Sequence, residues 1–279
     1  MPDMDEFIER ETEYFRPMLE RSERASDRDR ARWRQETVRQ RHERVSLEVY
    51  ELCKGVVRYG PFTGMAISSA PWWGKLDLGS QCLGLYEKEI LDYLDGVTEH
   101  AYSIFIDIGA ADGYYAVGML LSKKVDHAVC FEMSVAGQSA IRENWSQNQQ
   151  PGLLEVFGEA TPDSLCELLP GPLENGLVLV DIEGAEFELL TDAVLFLLSK
   201  STVIVEIHNW IDDFITQYVA MIMRIGELFD IDVIERKNRN TDVFEELRDF
   251  TDDNRALLAS ESRPCVMRFL RLTPKDDES

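Results

Sequence analysis

Apolar positions change their spacing along this chain. Up to about residue 54 they stand singly among Glu and Arg. From residue 103 they gather into short runs separated by longer amphipathic stretches. The runs at 103–108, 128–131, 153–157, 177–180, 202–207, 231–234 and 265–272 read as strands, several apolar at every position as in strands buried on both faces. The intervening stretches at 115–122, 135–147, 162–169, 186–198, 214–228 and 241–258 read as helices. Regular alternation of this kind predicts a parallel sheet with right-handed crossovers and helices on both faces. That domain is expected over 101–273, followed by an acidic tail at 274–279.

The first 54 residues predict a charged helical arm supported by i,i+4 pairs. Its apolar spacing does not sustain heptads, so an arm lying on the domain is favoured over a dimerisation arm, although self-association through it stays open. Residues 55–100 form a loop-rich cap, with a helix expected at 85–94. Within it Trp72 and Trp73 sit among glycines and prolines. They either line a substrate wall or pack the arm onto the core.

Charge narrows the partners. The chain carries 29 Lys/Arg against 52 Asp/Glu, a net charge of -23. Residues 1–48 are nearly balanced, so the excess acid falls on the globular part. Such a surface repels a phosphate backbone and argues against a nucleic-acid partner. No apolar run approaches the ~20 residues that span a bilayer, and the acidic N-terminus lacks a secretory core. Five cysteines without a paired spacing read as reduced thiols. A cytoplasmic protein without a membrane partner is expected.

The chemistry concentrates at the ends of the apolar runs. The first run ends Asp107-Ile108-Gly109-Ala110-Ala111-Asp112-Gly113-Tyr114. An acid at the carboxyl end of a buried strand, followed by a glycine turn into a helix, belongs at the ligand crevice of an open α/β sheet. A dinucleotide fingerprint would read G-x-G-x-x-G, which this is not. Glu132 ends the second run, where an acid can accept both ribose hydroxyls of a nucleoside. Glu159 follows the third run in a small-acid-small turn, or else caps the next helix. Asp181 and Glu183 end the fourth run and Glu206 and His208 the fifth, each pair on one side by strand parity. Three carboxylates and an imidazole are thus expected to converge at the carboxyl edge.

These motifs resemble those of class I S-adenosylmethionine-dependent methyltransferases. The Asp-Ile-Glu-Gly-Ala-Glu run at 181–186, the Val-Glu-Ile-His run at 205–208 and the segment 84–89 are similar to the FkbM type over roughly residues 80–210. The resemblance implies a Rossmann-like, seven-stranded, mostly parallel sheet with a late strand that can run antiparallel. It implies S-adenosylmethionine as cofactor, with Asp107 near its cationic end and Gly109, Ala111, Gly113, Tyr114 and Asp181 also against it. It places Glu132 on the ribose and Glu159 on the adenine. Methyl transfer to oxygen of a small molecule or sugar precursor follows. His208 would be the general base, oriented by Asp181 or Glu206. The candidate substrate residues are Trp72, Trp73, Tyr86, Glu87 and Glu183. The same acidic residues and His208 suit Mn²⁺ or Fe²⁺ better than Mg²⁺; the metal is left open, with a metal-free site expected. An NAD-type oxidoreductase and a non-catalytic scaffold on the same fold are the alternatives. The arm and the Trp72-Trp73 loop have no counterpart in the resemblance.

Overall fold

The computed structural model describes residues 4–263 and 267–275. Three helices open the chain: α1 (Met4–Arg24), α2 (Asp27–Gln35) and α3 (Val38–Leu52). Two short helices follow, α4 (Leu78–Cys82) and α5 (Lys88–Asp95). The alternating part runs β1 (Ile104–Ile108), α6 (Tyr114–Leu121), β2 (His127–Phe131), α7 (Val135–Gln147), β3 (Leu153–Phe157) and α8 (Pro162–Leu168). It continues β4 (Gly176–Val180), α9 (Glu186–Leu189), α10 (Asp192–Leu198), β5 (Thr202–Ile207), α11 (Phe214–Leu228), β6 (Phe229–Ile234), α12 (Asp252–Leu258) and β7 (Arg268–Pro274).

The sheet order is β3-β2-β1-β4-β5-β7-β6. Strands β1 to β5 pair parallel, and β7 runs antiparallel between β5 and β6. Alternate strand residues feed two apolar layers. Phe105, Leu177 and Leu179 face α3 to α6, while Ile106, Val178, Val180 and Val205 face α8 to α11. Both faces are covered, which is why these strands are apolar at nearly every position. This is a Rossmann-like, mostly parallel seven-stranded sheet with helices on both faces. The chain direction across the sheet reverses between β1 and β4, opening a crevice at their carboxyl ends.

The first three helices differ from one another. Helix α1 exposes Phe7, Ile8, Tyr14 and Phe15, whereas Val45 and Val49 of α3 are fully buried in the core. Both α2 and α3 begin with a capping box, Ser26 with Asp29 and Thr37 with Gln40. Helix α3 also receives α4 closely, since the Gly79 N–H donates to the Ser46 hydroxyl at 2.8 Å.

Two expected helices are shorter than the apolar spacing predicts. The stretch 186–198 is two helices, because Thr191 caps α10 with its side chain on the Val194 N–H and breaks the run. The stretch 241–258 is helical only at a 3₁₀ turn, Glu245–Leu247, and in α12. There the Arg255 guanidinium donates to the carbonyls of Leu247, Arg248 and Phe250, so a side chain satisfies what a helix ladder would. The expected helix at 85–94 begins only at Lys88. Cys265, the start of the expected last strand and most of the acidic tail lie outside the described residues. Among the described residues no helix is long and apolar enough to cross a membrane.

Candidate active site

A cleft of about 270 Å³ opens at the carboxyl ends of β1, β2 and β4. Its wall holds Asp107, Gly109, Ala111, Tyr114, Glu132, Glu159 and Asp181, together with Trp72, Trp73, Tyr86 and Glu183. Residues far apart in sequence meet here because parallel strands deliver all their carboxyl ends to one edge. Gly113, Glu87, Glu206 and His208 are not on that wall.

Asp107 is the penultimate residue of β1, only 3% exposed. Its Oδ2 has no hydrogen-bond partner. Burial, and then the negative charge of Asp181, push its pKa up to about 8. The unpartnered oxygen leaves room for a ligand's donor, and a cationic one would favour the ionised form.

The turn after β1 is held by its glycines and by Glu132. Gly109 has φ +90°, and a Cβ there would lie 1.7 Å from the Asp181 carbonyl oxygen. Gly113, at φ +81°, precedes α6. The Ala111 N–H donates to Glu132 Oε2 at 3.0 Å, and the Ser134 N–H to Glu132 Oε1 at 2.7 Å. Each carboxylate oxygen keeps a further acceptor site, so Glu132 can hold the turn and a diol together. The indole N–H of Trp72 donates to the Ala111 carbonyl at 3.1 Å, tying the cap to the same turn. Trp72 is nevertheless 43% exposed, as expected of a wall. Glu159 is exposed on the cleft rim. The cap of α8 is made by Thr161 rather than Glu159.

Behind Asp181 and Glu183 lies His208, with no exposed surface. Its Nε2 is 3.5 Å from Asp181 Oδ1, 3.6 Å from Glu206 Oε2 and 3.7 Å from Glu183 Oε2. Its Nδ1 is 3.4 Å from Glu186 Oε1. Among the described residues neither ring nitrogen finds a hydrogen-bond partner. Glu186 is anchored by the backbone N–H groups of His208, at 2.8 Å, and Gly184, at 2.9 Å. Trp210 covers the imidazole at 4.7 Å between ring centres. Burial, with the neighbouring Asp181 charge, drives Glu206 to about 11. Burial also raises Asp181 and Glu183.

Three functional-site residues were not anticipated. Arg263, just before β7, pairs with Glu206 and binds Glu87 Oε1 at 2.8 Å. The Tyr115 hydroxyl donates to the other Glu87 oxygen at 2.6 Å. Glu87 therefore sits in an ion network behind the cleft rather than on its wall. Glu186 read only as the start of a helix, and no local pattern marks Arg263 as a partner of β5.

No family model and no curated protein sequence matches the chain. Solved structures similar to it include three of partial likeness. One is precorrin-6y C5,15-methyltransferase from Geobacter metallireducens, 16% identical over 61% of this chain and 79% of that one, with a TM-score of 0.39. Another is an rRNA methylase from Streptococcus thermophilus, 12% identical over 66% and 93%, with a TM-score of 0.43. The third is TYW2 from M. jannaschii in complex with AdoMet, 12% identical over 69% and 75%, with a TM-score of 0.41.

Proposed function

We propose that the protein is an S-adenosylmethionine-dependent methyltransferase of the FkbM type, acting on a hydroxyl oxygen of a small molecule or sugar precursor. The observation that carries this reading is Asp107: a buried carboxylate oxygen without a partner, at the carboxyl end of β1, on the wall of the crevice. It fits the cationic amino-acid end of the cofactor. Glu132 has acceptor capacity for the ribose diol, and Glu159 on the rim suits the exocyclic amine of adenine.

When bound, S-adenosylmethionine supplies a methyl made electrophilic by its sulfonium. The residues of this chain then have three tasks. Asp107 and Glu132 orient the cofactor from opposite sides of the glycine turn. Trp72, Trp73 and Tyr86 wall the acceptor and limit water, which favours an in-line approach. Asp181 and Glu183 face the acceptor hydroxyl, and behind them His208 and Glu206 manage its proton. The net charge of -23 favours a neutral or cationic acceptor over a nucleic acid.

Calorimetric titration with S-adenosylhomocysteine, alongside NADH, tests the reading. Micromolar binding of the first ligand alone is expected. Binding of NADH alone would replace this function with an oxidoreductase.

A further inference from the structure

His208 poses a problem that its own surroundings do not solve. It is fully buried, and its Nε2 faces oxygens of Asp181, Glu183 and Glu206 at 3.5 to 3.7 Å. A charge-assisted hydrogen bond would measure ~2.7–2.9 Å. All three instead stand well beyond that length. The nearest acceptor to Nδ1 is Glu186 Oε1, a carboxylate fixed by two backbone N–H groups. Nε2 faces three carboxyl oxygens and, among the described residues, bonds to none of them. A buried ring nitrogen facing three carboxyl oxygens without a hydrogen bond is an arrangement that a cation between them would complete.

We infer that Asp181, Glu206 and His208, with Glu183 at the cleft side, form a binding site for one divalent cation of the Mn²⁺ or Fe²⁺ class. One donor atom from each of Asp181, Glu206 and His208 lies within 4.8 Å of the others. Metal–ligand bonds of ~2.0–2.2 Å hold adjacent donors ~3.0–3.6 Å apart, close to the separations about Nε2. Glu186 Oε1, 3.4 Å from Nδ1, stands on the side where a metal-bound imidazole takes its supporting carboxylate. The charges agree. Four carboxyl groups surround this imidazole, and among the described residues Arg263 pairs with one of them, Glu206. Mixed imidazole and carboxylate donors favour Mn²⁺ or Fe²⁺ over Mg²⁺. This departs from the metal-free site expected above.

Asp181 and Glu183 also line the cleft, so the cation reaches the acceptor's side. There it would polarise the acceptor hydroxyl, and His208 and Glu206 would then act as the cation's ligands in place of handling the proton. That role rests on the methyltransferase reading, whereas the cation site itself does not.

The test is Mn²⁺ binding to the chelator-treated full-length protein, followed by the loss of the free-ion paramagnetic resonance signal. One Mn²⁺ per chain is expected, weakened at least ~10-fold by His208→Ala and by Glu183→Gln. Glu183 is exposed, so its variant remains informative if His208→Ala does not fold. S-adenosylhomocysteine titration of the same samples separates the two readings. Wild-type protein that binds this ligand but no Mn²⁺ overturns the cation site and leaves the cofactor reading standing. Mn²⁺ binding unchanged in both variants also overturns it. Wild-type protein that binds Mn²⁺, lost in the variants, but not the nucleoside keeps the site and removes the cofactor reading.

Discussion

Arg263 Nη2 lies 2.8 Å from Glu87 Oε1 at the start of α5, while its Nη1 pairs with Glu206 on β5 and its Nε with Glu261. Glu87 and Glu206 are both almost fully buried. Burial raises both, Glu87 to about 7, and the Arg263 guanidinium opposes that shift. Removing it leaves two buried acids without their cation. Arg263→Ala is expected to cost ~3–5 kcal/mol in urea unfolding, the usual result of breaking a buried pair by one partner. Because the folded pKa of Glu87 exceeds the ~4.3 of an unfolded Glu, its contribution to stability falls as pH rises from about 4 towards 7. The loss in Arg263→Ala should therefore be larger at pH 8 than at pH 5. Equal losses at both would remove the carboxylates from the explanation.

Gly109 admits no side chain. Its φ of +90° strains any L-residue, and its missing Cβ leaves room for the Asp181 carbonyl. Gly109→Ala should destabilise by ~3 kcal/mol or more, since the obstacle is backbone. Gly158→Ala is the control, as nothing lies within 4 Å of its Cβ position. Thermal unfolding of the two variants should differ clearly, with Gly158→Ala within ~0.5 kcal/mol of wild type. Similar stabilities would mean that the β1–β4 junction is looser than described.

In the proposed role of Asp107 at the cationic end of the cofactor, binding should depend on pH. With its pKa raised to about 8 by burial first and Asp181 second, it is largely protonated at pH 6 to 7. A cationic ligand end favours the carboxylate, so binding must release a proton below pH 8. Affinity for S-adenosylhomocysteine should rise, at most ~10-fold per pH unit, from pH 6 to 8 and then level. Calorimetry in buffers of different ionisation enthalpy reads the proton release. Asp107→Asn should bind weakly and lose this release; an unchanged release would assign the proton to another group.

The sheet was legible because its parallel strands are buried on both faces. Ile104–Ile108 and Gly176–Val180 are apolar at nearly every position, and no helix of that length needs such a run. The cleft was legible in part, since acids at strand ends meet wherever parallel strands share an edge. Asp107, Glu132 and Asp181 follow from that rule. Arg263 does not, because its partners are set by the return of β7 to β5. The helix expected at 241–258 failed for a related reason. Arg255 takes over carbonyls that helical spacing would have paired, a contact invisible to periodicity.

Glu132 separates structural and ligand roles most sharply. Both of its oxygens already accept a backbone N–H, from Ala111 and Ser134. In Glu132→Gln one oxygen becomes an amide donor that faces an N–H donor. One hydrogen bond of the turn is then lost, worth ~1–2 kcal/mol of stability. The amide also keeps only one acceptor atom, which cannot serve the turn and two ribose hydroxyls together. Affinity for S-adenosylhomocysteine should therefore fall at least ~10-fold, beyond what the modest loss of stability explains. Homocysteine, which lacks the nucleoside, supplies the comparison. Its weak binding should not change, because the proposed placement puts Glu132 at the ribose end and Asp107 at the other. If homocysteine binding fell in proportion, Glu132 would be acting only through the shape of the turn, and the diol would need another acceptor on the cleft wall.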